Sequence, residues 1–257
     1  MTFEKNITDL IFGNPVKIKD NVFVYVPTVE EVVNEDKFEI YTSVLTSVTR
    51  QIFATSRQVD EIEKQFPNIW AMLWDEELNI KLGEVFGGEN STLQSVIIDA
   101  ISYWTKIDAS SFTVLQTGKR IVNAEYDWII DAAEFNKFVN LIKVITRWQM
   151  PDDLPPKMTS DIVYDMWMNS FYRNIQEHKK RKFLSWGERI LMLSVSMDSY
   201  IPIDEIKKMN IFLFYHMSSV LDLKDVNRIR WDAHMSPKFE SKETPKHWKE
   251  QFKIRLQ

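Results

Sequence analysis

Two short stretches rich in β-branched residues predict β-hairpins. Residues 16–26 first alternate between apolar and polar positions and then form an apolar run, with the turn-forming pair Asp20 and Asn21 between them. Residues 112–123 repeat this arrangement around Gly118. Glycine at the first central position of a two-residue turn is typical of type II′, so that turn is predicted for the second hairpin.

Most of the remaining chain has the periodicity of amphipathic helices. Thr28 and Glu31 form a capping box, in which a hydroxyl and a carboxylate each bind an amide at a helix start, so one helix begins there. Gly83 and the pair Gly87 and Gly88 are breakers that predict loops. Apolar residues at helical spacing predict further helices over residues 38–57, 68–80, 91–104, 131–148, 159–178, 184–197, 203–221 and 225–234.

A cluster of prolines divides the pattern. Three prolines fall within residues 151–156, and such a segment favours an extended connector over a helix. We therefore predict a mainly α fold, a helical body with two small β-hairpins. It has an α+β N-terminal part (1–150), a Pro-rich connector (151–157), an all-α C-terminal part (158–235) and a peripheral tail (236–257).

The composition excludes several classes of chemical site. The chain has only 6 glycines, and no phosphate-binding or dinucleotide-binding glycine motif can be made from them. It has no cysteine, which excludes thiolate metal sites and cysteine nucleophiles. The 4 histidines show no metal-ligand spacing, and the acidic run at residues 75–77 is typical of a solvated helix face. We expect no catalytic residue, no metal and no cofactor.

Hydropathy and charge indicate where the chain acts. No apolar run approaches the roughly 20 residues of a membrane span. The first ten residues contain the acidic Glu4 and Asp9 and have no apolar core, so they do not resemble a signal peptide. We therefore expect a soluble intracellular protein that does not bind membranes. Residues 1–100 hold 17 acidic and 8 basic residues, whereas residues 224–257 hold 5 acidic and 9 basic. Unlike ends suggest an electrostatic partner or head-to-tail homo-oligomerisation, and a chance distribution over solvated faces is the alternative.

One basic run has two interpretations. Lys179, Lys180 and Arg181 lie in it, and a nucleic acid could bind there by phosphate contacts. Alternatively, the run is the end of a helix, where cations complement the helix dipole. We favour the helix end, because the chain is acidic overall and has no DNA- or RNA-binding motif.

Aromatic residues are the strongest remaining signal. The chain has 16 Phe, 9 Trp and 8 Tyr, and methionines are frequent in its second half. Most of these side chains are expected in the core, but aromatic residues and Met are also favoured at surfaces that receive a partner helix. The candidate partner-binding residues are Trp167, Phe171, Met192 and Phe212.

Three segments resemble tail assembly chaperones of tailed phages that infect Gram-positive bacteria. These are residues 11–32, where a hairpin leads through Pro-Thr into a helix, residues 121–135, and residues 203–214. The resemblance implies a non-enzymatic helical protein of the host cytoplasm that keeps the long tape measure protein soluble while the tail tube polymerises. A structural virion component, such as a connector or baseplate adaptor, is the alternative, and a nucleic-acid-binding regulator is a third possibility.

Overall fold

The computed structural model describes residues 3–180, 184–196, 200–236 and 244–252. Within these ranges the protein is mainly α-helical with two small antiparallel sheets, which confirms the predicted fold class. The helices are α1 (Phe3–Phe12), α2 (Val29–Asn34), α3 (Lys37–Thr46), α4 (Thr49–Ile52), α5 (Val59–Gln65), α6 (Ile69–Met72), α7 (Glu76–Gly87), α8 (Leu93–Thr105), α9 (Ala132–Ile145), α10 (Asp161–Lys180), α11 (Trp186–Ser196), α12 (Ile203–Lys208), α13 (Ile211–Met235) and α14 (Trp248–Gln251). The strands are β1 (Val16–Lys19), β2 (Val22–Val24), β3 (Phe112–Leu115), β4 (Arg120–Asn123) and β5 (Trp128–Ile130).

The first hairpin and the helix start after it have the predicted geometry. Strands β1 and β2 pair antiparallel, and Asn21 takes the left-handed conformation in the turn, with φ of 63°. At the start of α2, the Thr28 amide donates to Glu31 Oε2 at 2.7 Å, and the Glu31 amide donates to Thr28 Oγ1 at 3.2 Å. This is the reciprocal capping box expected from the sequence.

The second sheet differs from the predicted hairpin in two ways. Strands β3 and β4 pair antiparallel, but β5 adds a third strand on β4 that was not predicted. The last pair of the hairpin joins Leu115 to Arg120, so the loop holds four residues and the predicted two-residue type II′ turn is wrong. Both Gly118 and Lys119 have positive φ, of 87° and 51°, so two consecutive left-handed residues close the loop.

Several predicted helices are interrupted where the backbone becomes extended. The stretch 38–57 is split between α3 and α4 because Val48 is extended and caps the second helix. The stretch 68–80 is split because Asp75 starts α7 by accepting a hydrogen bond from the Leu78 amide. Helix α13 instead unites the predicted 203–221 and 225–234 helices from residue 211 onward. Helix α1 was not predicted.

Gly83 lies inside a helix, and the prediction of a loop there is wrong. It is buried in α7, where the start of α8 packs against it. A Cβ at this position would lie 2.3 Å from the Ser91 carbonyl oxygen and 2.4 Å from Thr92 Cα. The glycine therefore permits close backbone approach between two consecutive helices.

The described structure forms two compact units, and their limits differ from the predicted boundary at residue 150. The central unit comprises Pro15–Tyr25 and Glu35–Phe183, and the terminal unit comprises Met1–Asn14, Val26–Asn34 and Leu184–Gln257. Segment 151–157, expected as a connector, belongs to the central unit.

Each unit has its own apolar core. The central core is rich in aromatic rings and includes the fully buried Trp104, Trp128, Phe135 and Phe138. The terminal core includes Leu10, Val29, Ile206, Ile211, Phe212 and Phe214, which are also buried. Abundant aromatic residues are thus explained first by packing, as the sequence suggested.

Asn210 joins the discontinuous segments of the terminal unit. Its Oδ1 accepts from the Leu213 amide at 2.9 Å, and its Nδ2 donates to the Ile11 carbonyl at 3.1 Å. Its backbone forms an antiparallel bridge with Thr28. The chain is extended at this residue because it pairs with the segment before α2, and this pairing separates α12 from α13.

Arg50 holds the proline-rich segment within the central unit. Its guanidinium donates to the Pro155 and Pro156 carbonyls at 3.1 and 3.2 Å, and it pairs with Asp60 and with Glu63. Asp60 also accepts from the Met158 amide at 2.7 Å. Burial tends to raise the pKa of Asp60, but the hydrogen bonds from Arg50 and from the Met158 amide outweigh it and hold that pKa below its ordinary value.

Replacing Arg50 with alanine should destabilise the central unit by about 2 kcal/mol, because two carboxylates and two carbonyls lose their partner. This value lies between those typical of exposed and of fully buried ion pairs. The native Asp60 carboxylate contributes stability above its unfolded pKa of about 4, and this contribution is lost as the pH falls through the lowered folded pKa. Urea unfolding between pH 3 and pH 7 measures both effects, and the Arg50→Ala variant should show the weaker acid dependence. Lys81→Ala, which removes the exposed pair with Glu77, is the control and should cost less than about 0.5 kcal/mol.

Candidate partner-binding surface

Trp167 and Phe171 lie on one face of α10 in the central unit, and both are half-buried. The Trp167 indole Nε1 donates to the Ala54 carbonyl at 2.7 Å, and the ring centroids of Trp167 and Phe171 are 5.7 Å apart. The Tyr164 hydroxyl donates to the Thr55 carbonyl at 3.1 Å. Trp167 therefore fixes α10 against the segment after α4, which is a structural role.

The opposite face of α10 is exposed. None of its described side chains, at residues 161–177 and 179, is fully buried. Ile162 and Met166 are 73% and 69% exposed, and one acidic residue, Asp165, lies between them along the helix. This face is therefore apolar in places.

Phe212 is fully buried in the terminal unit, so the prediction that it contacts a partner needs correction. Its ring centroid lies 4.1 Å from that of His216, whose Nδ1 is 2.8 Å from the Phe212 carbonyl. Because a carbonyl only accepts, His216 carries a proton on Nδ1. Phe212 therefore stabilises the start of α13 from within the core.

Met192 is different, because α11 is apolar on two faces. Leu193 and Ser194 point into the terminal unit and are 1% and 0% exposed. On the outward face, Leu191, Met192 and Val195 are 55%, 47% and 63% exposed. These three residues, spaced at i, i+1 and i+4, form a continuous apolar patch, called here the α11 patch.

A groove of about 230 Å³ lies beside the α11 patch, between α11 and α13 of the terminal unit. Its lining is apolar at the floor and charged at the rim. The lining residues are Leu184, Arg189, Met192, Leu193, Phe214, Tyr215, Ser218, Leu221, Asp222 and Asp225.

The charges at the rim of the groove are unequal. Asp222 and Asp225 lie on α13, whereas Arg189 lies on α11 with its guanidinium 5.4 Å from the Trp186 ring centroid. Asp225 also forms an exposed pair with Arg228 at 3.3 Å, which contributes little in water. The rim formed by α13 thus carries two carboxylates, of which that of Asp225 is paired with Arg228.

The basic run is described only in part. Lys179 and Lys180 lie in α10, whose described part runs to Lys180, and the helix-end interpretation stays a prediction. Lys179 is exposed, and the side chain of Lys180 is not among those described. The prediction for Arg181 lies outside the described residues.

A second concave region, of about 400 Å³, lies in the central unit and is lined by polar groups. Three of these groups, on Asp75, Asn79 and Gln94, form hydrogen bonds with the backbone. The Asp75 carboxylate caps α7, the Asn79 side-chain Oδ1 accepts from the Gln94 backbone amide at 2.9 Å, and Gln94 Nε2 donates to the Leu73 backbone carbonyl at 2.8 Å. The starts of α7 and α8 thus account for these three groups, whereas the buried Trp74 Nε1, which also lines the cleft, has no hydrogen-bond partner among the described residues.

Two further findings concern metals and membranes. Across the described residues, no group of three or more histidine, aspartate or glutamate side chains is arranged to hold a metal ion. No helix in the described ranges combines the length and the apolar character required to cross a bilayer.

Comparisons with protein-family models, with curated proteins and with solved structures find no match to this chain.

The sequence predicted the α11 patch and the groove only in part, since it gave Met192 as a candidate partner-binding residue but not its neighbours Leu191 and Val195. The run Ile190–Val195 has apolar residues on every side of a helix, which indicates a helix that is covered on two faces. That signal could have identified Leu191 and Val195.

Proposed function

We propose that this chain is a non-enzymatic tail assembly chaperone that binds helical segments of a tape measure protein and keeps them soluble. The observation that carries the proposal is the α11 patch, which exposes three large apolar side chains beside an apolar groove. The resemblance of residues 11–32, 121–135 and 203–214 to such chaperones supports it. Apolar helical stripes of a client are the natural complement of this surface.

The size of the patch favours weak binding at each site. Complete burial of one such side chain contributes about 1.5–3 kcal/mol, so burying three that are about half exposed contributes about 3 kcal/mol. A binding free energy of about 4 kcal/mol corresponds to a millimolar Kd, so one patch on one client segment is easily released. A long coiled-coil client repeats its apolar stripe every seven residues and offers many such segments. Many weak contacts would mask the client and still allow tube subunits to displace the chaperone.

Charging the α11 patch should abolish the chaperone effect. In Leu191→Glu/Val195→Glu the patch loses about 2 kcal/mol of apolar contact, or roughly 30-fold in affinity for each segment. Both side chains are exposed, so the variant should fold normally. Co-expression with the tape measure protein of the same phage, followed by assay of the soluble client, measures the effect.

Ile162→Glu/Met166→Glu is the matched control, since it charges two exposed apolar residues on α10. The control should keep the client soluble. Failure of the unaltered chain to raise client solubility would overturn the proposed function. Mass spectrometry of purified particles separates a chaperone, which should be missing from mature virions, from a structural component.

A further inference from the structure

We propose that the groove between α11 and α13 selects amphipathic client helices whose apolar stripe is flanked by Lys or Arg. This inference rests on the proposed function and specifies the chemistry of the partner. It is carried by the shape of the groove, its apolar floor and the acidic side of its rim.

The groove has the length of a short helical segment. Along α13 its lining runs from Phe214 to Asp225. Eleven residue steps at a rise of 1.5 Å give about 16 Å, or three helical turns. A client helix lying along it would therefore place apolar residues at i, i+3 or i+4, and i+7 over the floor.

The floor is apolar and already fixed by the core of the terminal unit. Leu193 and Phe214 are 1% exposed and Leu221 is 9% exposed, so their positions are determined by packing on their inner sides. Met192 forms the edge, and its flexible thioether can adapt to different client side chains. The apolar surface that a client side chain can contact is supplied mainly by the edge of the groove, where Leu184 and Met192 are 45% and 47% exposed.

The rim sets the preferred charge of the client. Asp222 and Asp225 lie about one turn apart on α13, on the same side of the groove. Arg189 on the other side is close to the Trp186 ring, which offers it a cation–π contact. A client helix with Lys or Arg beside its apolar stripe would place cations against the two aspartates, whereas Glu at the same positions would be repelled.

Binding of two synthetic 18-residue helical peptides to the full chain tests the inference. The peptides share the same leucine positions and differ only in flanking Lys or Glu, and fluorescence anisotropy at low and physiological salt measures both affinities. The Lys peptide should bind at least about tenfold tighter at low salt. Asp222→Asn/Asp225→Asn should reduce that preference to about twofold, and Met192→Glu should weaken binding of the Lys peptide by disrupting the apolar edge.

The control separates a local effect from general attraction to an acidic chain. Asp152→Asn/Asp153→Asn removes the same charge from two exposed aspartates of the central unit and should keep the tenfold preference. The inference would be overturned if both double variants lost the preference for the Lys peptide equally, or if the Lys peptide did not bind. A dimer seen by light scattering and lost in Met192→Glu would also overturn it, by assigning the groove to a second copy of this chain.

The outcome is distinguishable from failure of the proposed function. If the chain solubilises the tape measure protein but shows no peptide preference, only the inference is wrong. If the peptide preference is present and the client stays insoluble, the groove is a site for basic helices and the chaperone proposal is wrong.

Discussion

Replacing Gly83 with alanine should destabilise the central unit by about 3 kcal/mol or more, at the upper end of the cost of overpacking. The added methyl group would lie 2.3 Å from the Ser91 carbonyl oxygen and 2.5 Å from the Thr92 carbonyl carbon. These are backbone atoms at the start of α8, where Thr92 and Ser95 cap each other. They cannot yield as a flexible side chain could, so the two helices must separate.

Gly187→Ala is the matched control for this prediction. Gly187 is also helical, but the nearest atom to an added Cβ is Ser185 Oγ at 3.9 Å. Alanine should therefore stabilise α11 by about 0.5–1 kcal/mol, because it restricts the unfolded chain without a clash. Urea unfolding of both variants measures the difference, and equal stabilities would contradict the close approach of α7 and α8.

Replacing Trp104 with alanine should cost about 3–5 kcal/mol, the usual range for a fully buried large aromatic residue. Its side chain is 0% exposed, and its ring packs against Phe38 and Tyr103 at centroid distances of 5.9 and 5.6 Å. The cavity left behind would lie between α3 and α8. At a temperature at which the unaltered chain is still folded, the central unit of the variant should already be unfolded, so thermal unfolding should no longer show its cooperative transition there.

Phenylalanine at the same position isolates the contribution of packing. The Trp104 indole Nε1 is buried without a hydrogen-bond partner among the described residues. Trp104→Phe keeps an aromatic ring and removes this unsatisfied donor, so it should cost less than half as much as Trp104→Ala. Similar losses in both variants would contradict a packing role.

Local features of the fold could be predicted because they depend on neighbouring residues. The turn at Asn21 and the capping box of Thr28 and Glu31 each involve side chains a few positions apart. The amphipathic pattern of residues 131–148 likewise predicted the helix α9. Such signals are written within one or two helical turns of sequence.

Features that depend on distant segments could not be predicted. The break at Asn210 exists because its backbone pairs with Thr28, and its side chain also bonds to Ile11, which lies 199 positions earlier. Gly83 resembles a helix breaker, yet it serves a close approach between two helices. The division into two units depends on which distant segments pack together. Arg50, for example, forms hydrogen bonds with the carbonyls of residues 155 and 156, which lie more than 100 positions later in the chain.

The candidate site was predictable only in its residue types. Aromatic and methionine residues on late helices indicated a partner surface, and Met192 does lie at the edge of an exposed apolar region. Phe212 occupies the same helical pattern but faces the core, because the pairing at Asn210 fixes the rotation of α13. The rim of the groove exists only because α11 and α13 are neighbours, and no short stretch of sequence predicts that these two helices pack together.

Oxidation of individual methionines by hydrogen peroxide most directly tests the claim that the α11 patch receives a helical client. Met192 is 47% exposed in the terminal unit, and Met166 is 69% exposed in the central unit, so the chain provides its own reference. Peptide mass spectrometry compares the rates of sulfoxide formation in the free chain and in its complex with the tape measure protein. We predict that Met192 is oxidised several-fold more slowly in the complex while Met166 keeps its rate. An unchanged rate at Met192, or protection of Met166 alone, would contradict the account.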